Sequence, residues 1–474
     1  MSVAGTGPPA GSSAKLAWRD VWIGAALAAF ALARLAPPLD GLAPQGQAVL
    51  GVMTAGALLW ISEATPIGLT GIIVVVLLAA CPDAGFGLAT GGFASEVVFF
   101  LIGAVGIGAA VETSGLAGRT ARALVRVAGG SPTRLYVQMI ASLPAFALLV
   151  PSAITRNAIL VPAYREALDR MGAASTDRSG RMLMLALGVL NPLASSALLT
   201  GGLASMTAAS LLGGFSWLRW FALMSVPYYA LLFGGAAVLR LLVGPFEPGR
   251  GADGAAPAPR LAFTANERKT LAVLGVTLAL WLTDRIHGLS PAIPALIGAG
   301  LLMLPGAGVL SWKAFEQKLS WGMILSLGAS LSLAAAMTRS GAAAFVSRQV
   351  IDNLGALANE PRLLVVGLVA AVALVHLAVT SLAACIALLI PVAATMAERA
   401  SLDPIVCGLI VTIVIDAVIL YPVQTATNLI AYEAGYFDAA DVRRFGLAML
   451  ALSAVVVLLT IPYWGWIGLP LAQR

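Results

Sequence analysis

Long apolar runs alternate with short polar interruptions along this chain, and the runs lie near 20–36, 45–62, 66–82, 97–113, 182–200, 216–244, 271–284, 291–305, 322–338, 405–421 and 446–467. A helix needs ~20 apolar residues to cross a hydrocarbon layer of ~30 Å. Unpaired backbone groups are too costly in lipid, and the alternation of a barrel strand is absent, so the pattern predicts an all-α polytopic membrane protein with about eleven transmembrane helices. Two further apolar stretches, 134–164 and 363–395, are broken midway by polar segments. These are Pro151-Ser152-Ala153-Ile154-Thr155-Arg156-Asn157 and Thr380-Ser381-Leu382-Ala383-Ala384-Cys385. Each stretch is predicted to be a helical hairpin that enters the membrane and returns to the same side.

The two breaks belong to a repeated plan. Ser152 and Pro162 are ten residues apart, as are Ser381 and Pro391. Pairing Pro66 with Pro294, Ser114 with Ser340, Ser152 with Ser381 and Pro192 with Pro422 gives offsets of 226 to 230 residues throughout. Each unit holds five spans and one re-entrant hairpin, an odd number of crossings, so the second copy is expected upside down relative to the first. The predicted organisation is a tail and first helix over 1–44 and a first inverted repeat over 45–246. A cytoplasmic linker over 247–270 then leads to a second repeat over 271–474. Arginines crowd the flanks of the first hairpin and are sparse beside the second, which places the first on the cytoplasmic side by the positive-inside rule. Counting crossings agrees, with the N-terminus cytoplasmic and the C-terminus outside. The first twenty residues read as a short cytoplasmic tail before a retained helix.

Composition fits this picture: 59% of residues are hydrophobic and 11% charged, which no soluble chain of 474 residues would present. The net charge of +6 sits in loops, where insertion into a bilayer explains it better than nucleic-acid binding does. Cys81, Cys385 and Cys407 lie in apolar runs without metal or disulfide spacing. His287 and His376 are in unlinked regions, so no catalytic constellation can be assembled and an enzyme is not expected. No phosphate-binding loop is present, and gradients or exchange must supply the energy.

Interrupted helices at matching positions are a feature of secondary transporters, where the tips meet near the midplane. A broken helix offers unpaired N–H groups and an aligned dipole to an anion. The candidate substrate ligands are Ser152, Thr155, Arg156 and Asn157 on the first tip and Thr380 and Ser381 on the second. A second pair of breaks, Asn191–Ser196 and Tyr421–Asn428, adds Thr425, Thr427 and Asn428. Ser152, Ser195, Ser196, Ser381 and Asp416 are candidates for ion coupling. Asp416 stands in an apolar span, and an ionisable group there is a functional hypothesis by default. A carboxylate simply paired with a neighbouring hydroxyl or arginine is the bland alternative. Likewise Arg156 is read either as an anion ligand or as a side chain that snorkels to the surface. Glu63 and Glu112, at span ends, are read as anchors, and His376 as a packing residue.

Trp60-Ile61-Ser62-Glu63-Ala64-Thr65-Pro66 resembles the Trp-x-Thr-Glu-Ala-x-Pro signature of the divalent-anion:sodium symporter family. Phe100–Gly115 is similar to that family's glycine-bearing helix, and both hairpins fall in the right order. The resemblance implies transport of citrate, succinate, related dicarboxylates or sulfate by a homodimer in the inner membrane, with no cofactor beyond a coupling ion. It also implies that segments 116–131 and 340–360 lie along the membrane surface and link a scaffold to a moving domain. The family's tips carry Ser-Asn-Thr, and Ser152 and Ser381 match the serine. Ala153, Ile154, Leu382 and Ala383 replace the asparagine and threonine, which leaves sodium symport, proton coupling and exchange open. Pro151-Ser152-x-x-x-Arg156 is similar to the tip of the citrate-exchanger branch, where a fixed cation would stand in for a mobile one. The second function class is a cation or proton antiporter of similar architecture that uses Asp416.

Overall fold

A computed structural model describes residues 11–82, 84–127, 131–150, 152–172, 177–246, 262–354, 360–379 and 382–472. Among them there is no strand, and extended pairing is confined to an isolated bridge between Leu402 and Ala472. A helix occupies every apolar run named above. By length and apolarity together, five described helical segments qualify as spans, namely Gly85–Thr113, which is a short helix and a 3₁₀ turn leading into the helix Glu96–Thr113, and the helices Trp217–Val243, Trp321–Arg339, Leu382–Arg399 and Ala439–Trp466. Shorter apolar helices cover Ile67–Ala79, Ala292–Met303, Pro361–Leu377 and Pro404–Ala417.

Both predicted hairpins are pairs of helices. Pro132–Leu149 is followed by Ala153–Arg170, and Pro361–Ala378 by Leu382–Arg399. Ser152 caps the first return helix, its hydroxyl oxygen accepting from the Thr155 amide at 3.2 Å. That bond satisfies a donor that the helix start leaves orphaned. Thr380 and Ser381, at the second tip, lie outside the described residues.

The segments expected along the membrane surface are helical, over Leu116–Val127 and Ala342–Leu354. The structure corrects the linker's extent: a helix already begins at Ala265, held by a capping box in which Thr264 and Glu267 exchange hydrogen bonds. The sequence reading also passed over the short helices Gly85–Thr90, Leu203–Leu211, Trp312–Lys318 and Ala426–Tyr432. All are shorter than a crossing, so hydropathy gives them no signature.

Helices pack closely where glycine permits it. A Cβ on Gly71 would stand 2.7 Å from the Leu325 carbonyl oxygen, and one on Gly103 2.6 Å from the Ala295 carbonyl carbon. Small residues at such crossings let backbones approach, which matters where lipid provides no hydrophobic drive between helices. The contacts run across the chain's halves in reciprocal pairs. Ile67–Ala79 packs on Trp321–Arg339, and Glu96–Thr113 packs on Ala292–Met303. Leu203–Leu211 likewise packs on the second hairpin's return helix, and Ala426–Tyr432 on the first's.

Candidate functional site

Two helices lose their regular course inside the protein and so free backbone groups there. Arg178–Val189 gives way to the short Asn191–Ser196 helix and then to a turn over 197–202. Pro404–Ala417 stops at Val418, runs extended to Tyr421, forms a single 3₁₀ turn over Pro422–Gln424, and restarts as Ala426–Tyr432. Proline at 192 and 422 cannot donate, and buried carbonyls left over need other partners. Side chains provide them. Gln424 accepts from the Leu420 amide at 2.7 Å and donates to the carbonyls of His376 and Val418 at 3.2 and 3.3 Å. Asn157, on the first hairpin, donates to the carbonyls of Leu187 and Thr427 at 2.9 and 2.8 Å. One amide thereby stitches both breaks to the hairpin.

Arg156 is fully buried behind this tip. Its Nε donates to Asn191 Oδ1 at 2.7 Å and its Nη1 to the Val150 carbonyl at 2.8 Å. Nη2 donates to the Asn191 carbonyl at 2.8 Å and to Ser195 Oγ at 2.9 Å. These four acceptors are neutral oxygens. Asn191 is itself the hub, since its Nδ2 donates to Asn157 Oδ1 at 2.7 Å and to the Ala153 carbonyl at 3.0 Å. The guanidinium therefore does not snorkel; it is fixed, fork and stem, against the first break.

In front of this layer lies a cavity of about 370 Å³. Its polar wall includes Ser152 and Thr155 of the tip, Ser195 and Ser196 of the first break, Thr425 and Thr427 of the second break, and Asp416, and Thr200, Glu112, Lys318 and Ser320 border it as well. Leu382 reaches it from the second hairpin, and Phe100, Leu101, Met323 and Ile324 form an apolar side. Seven of the residues singled out from sequence thus come together around one space. Arg156, Asn157 and Asn428 do not line it; they stand buried one layer back, with Asn428 bonded to the Pro422 carbonyl at 3.1 Å. His376 is also buried, its Nδ1 against the Val379 carbonyl at 3.1 Å.

Asp416 is paired with a hydroxyl, as the bland alternative had it, and, though buried, it borders the cavity as well. Tyr228, within Trp217–Val243, donates to its Oδ2 at 2.7 Å. Tyr228 and Asn191 are the residues whose roles sequence reasoning missed. A buried tyrosine beside Pro227 in a span must find a partner for its O–H, and a carboxyl in another span is the obvious one. Among the described residues no three His, Cys, Asp or Glu side chains gather as metal ligands, and the three cysteines are buried and free.

A cavity with one polar wall built from broken helices and a hairpin tip, in an otherwise apolar helical chain, suits a membrane transporter and not an enzyme. The chain belongs to the family described as the sodium:sulfate symporter transmembrane region, which matches residues 17–471. It is 25% identical over 480 residues to a membrane protein of Cupriavidus necator, covering 94% of this chain and 92% of that one. A rat Na(+)/citrate cotransporter is 28% identical over 157 residues, which is 33% of this chain and 27% of the cotransporter. Among solved structures, the Alcanivorax borkumensis YdaH transporter superposes with a TM-score of 0.54 at 18% identity, covering 88% of this chain and all of that one. This last likeness concerns the fold.

Proposed function

We propose that this protein is a secondary active transporter of small organic or inorganic anions, such as di- and tricarboxylates, sulfate or sulfonates. One observation carries the reading: hydroxyls from a hairpin tip and from both helix breaks converge on one cavity, with a fixed guanidinium bonded to the back of Ser195. Ser152 accepts from the Thr155 amide and keeps its own hydrogen to donate to an anion, whereas Ser195 and Ser196 donate to the Pro192 carbonyl and must exchange that bond for one to the substrate. The start of Ala153–Arg170 adds a favourable dipole end, because Ser152, Ala153, Ile154 and Thr155 all border the space. The buried charge acts through this wall and does not touch the substrate in this conformation. Thr380, Ser381 and Leu382 would complete the site from the second tip.

The reciprocal packing of helices across the halves supports two inverted repeats of five spans and one hairpin, over 45–246 and 271–474. With them goes an inner-membrane orientation in which the N-terminus is cytoplasmic and the C-terminus outside, and assembly as a homodimer. For coupling, the family description names sodium, while Asp416 on the cavity wall favours a proton. That carboxyl also supports the second reading, a cation or proton antiporter. The two readings differ on what the site holds: an anion carrier is inhibited by competing anions, a cation carrier is not.

Purified protein in proteoliposomes tests this directly. Uptake and counterflow are measured for succinate, citrate, sulfate and an alkyl sulfonate, with sodium and pH gradients imposed separately. Accumulation of at least one anion is expected. Proton or sodium flux without movement of any of the four would favour the antiporter.

A further inference from the structure

We infer that Lys318 is the entry ligand of the cavity, held closed by an ion pair with Glu112 that an incoming anion exchanges for its own charge. The inference rests on the anion-carrier reading and adds a specificity-determining residue to it.

Lys318 is the last residue of the Trp312–Lys318 helix, and Glu112 lies one residue before the end of Glu96–Thr113. Lysine Nζ donates to both carboxylate oxygens, at 2.8 and 2.9 Å. Both residues border the cavity, and their side chains are 50% and 44% exposed, so the pair stands where the cavity opens. Among the described residues that line it, Lys318 is the one cation; Arg156 is behind the wall, and the other charged groups are the carboxylates Glu112 and Asp416. An anion entering by this mouth meets Lys318 and the exposed Ser320 before the buried hydroxyls of Ser195, Ser196, Thr425 and Thr427.

An exposed pair of this kind is weak, because water screens both charges and holding two long side chains in one geometry costs entropy. It holds the ammonium in place without binding it so tightly that a carboxylate or sulfate could not take over. Three rotatable donors on a flexible stem suit Lys318 to following a moving anion as a point charge. Glu112 then acts as a tethered competitor. It keeps inorganic anions of low affinity out and is released when a better ligand arrives.

The two partners are therefore expected to have opposite effects, which a merely structural pair would not produce. Initial uptake of radiolabelled succinate and sulfate is measured for wild type, Lys318→Gln, Glu112→Gln and the Lys318→Glu, Glu112→Lys exchange, with melting temperature as the check on folding. Lys318→Gln should raise KM about ten-fold, with the maximal rate within about two-fold and a flatter dependence on ionic strength, because a charge at the mouth acts mainly on capture. Glu112→Gln should lower KM. The exchange variant keeps the pair and should restore uptake toward wild type, since a lysine again stands at the mouth. A KM raised alike by both single substitutions means that the pair only holds the helices together, and it overturns the inference. So does an unchanged KM in Lys318→Gln. If wild type takes up none of succinate, citrate, sulfate and the alkyl sulfonate, the carrier reading falls and this inference with it; if it takes up any of them, the variants assayed with that anion judge the entry pair alone.

Discussion

Asn191→Asp is the most informative perturbation of the network behind the cavity. It preserves size and keeps an oxygen 2.7 Å from Arg156 Nε, but that oxygen becomes charged. The substitution also removes the donor to Asn157 Oδ1 and the Ala153 carbonyl, and it turns an acceptor toward both. Two lost interhelical bonds cost about 0.6 kcal/mol each in a membrane. The new charge-assisted bond to Arg156 returns roughly 1.5–3 kcal/mol gross. Net stability should therefore change by no more than about 2 kcal/mol in either direction. The effect on the substrate is different in kind. Reached through Ser195 Oγ and the guanidinium, the new carboxylate stands roughly 7 Å from an anion in the cavity, which at an effective dielectric of about 20 costs the anion about 2 kcal/mol. That is roughly thirty-fold in affinity. The assay pairs thermal melting in detergent, followed with a thiol-reactive dye on the buried cysteines, with the KM for the transported anion. A protein that melts near the wild-type temperature with wild-type KM refutes the claim that the Arg156 charge acts on the site. Arg156→Ala is a poorer test, because removing a fully buried side chain with four bonded acceptors damages the fold and the charge together.

Other outcomes follow from separate features. Asp416→Asn should abolish stimulation of uptake by an imposed pH gradient while leaving counterflow within about three-fold; a retained pH response would remove Asp416 from coupling. Gly201→Ala would place a Cβ 1.6 Å from the Ser195 carbonyl oxygen, so the turn over 197–202 must shift, and melting should fall by the equivalent of about 3 kcal/mol or more. At the start of Ala265–Leu282, Arg119 donates to both oxygens of the buried Glu267, at 2.6 and 2.8 Å, and these bonds hold the carboxyl below its ordinary value of 4.5. A depressed carboxyl contributes stability that is complete above the unfolded value and lost as pH falls through the folded one. Wild type should therefore lose melting temperature below about pH 4.5 more steeply than Glu267→Gln does, and parallel curves would dismiss the link.

Much of this architecture can be read along the chain. Hydropathy alone marks where the long helices lie, though not the short ones, because a lipid-facing backbone must satisfy its own hydrogen bonds and leaves apolar runs as the signature. Polar interruptions at 151–157, 191–196 and 421–428 stand out against those runs for the same reason, and seven of the residues they and Asp416 supplied do share one cavity wall. What the pattern could not reveal is which face each polar group turns. Arg156 and Asn157 sit in the same tip as Ser152 and Thr155, yet a helical turn points them into the Asn191 network instead of the cavity. Tyr228 finds Asp416 across 188 positions, and Lys318 finds Glu112 across 206. Such pairings depend on how helices from the two halves cross, which is fixed by the close approach of small residues such as Gly71 and Gly103 and not by any local property of the partners. Sequence thus settled the solvent, the helices and the places where they break; only packing in three dimensions chose which broken ends meet and which charges face the opening between them.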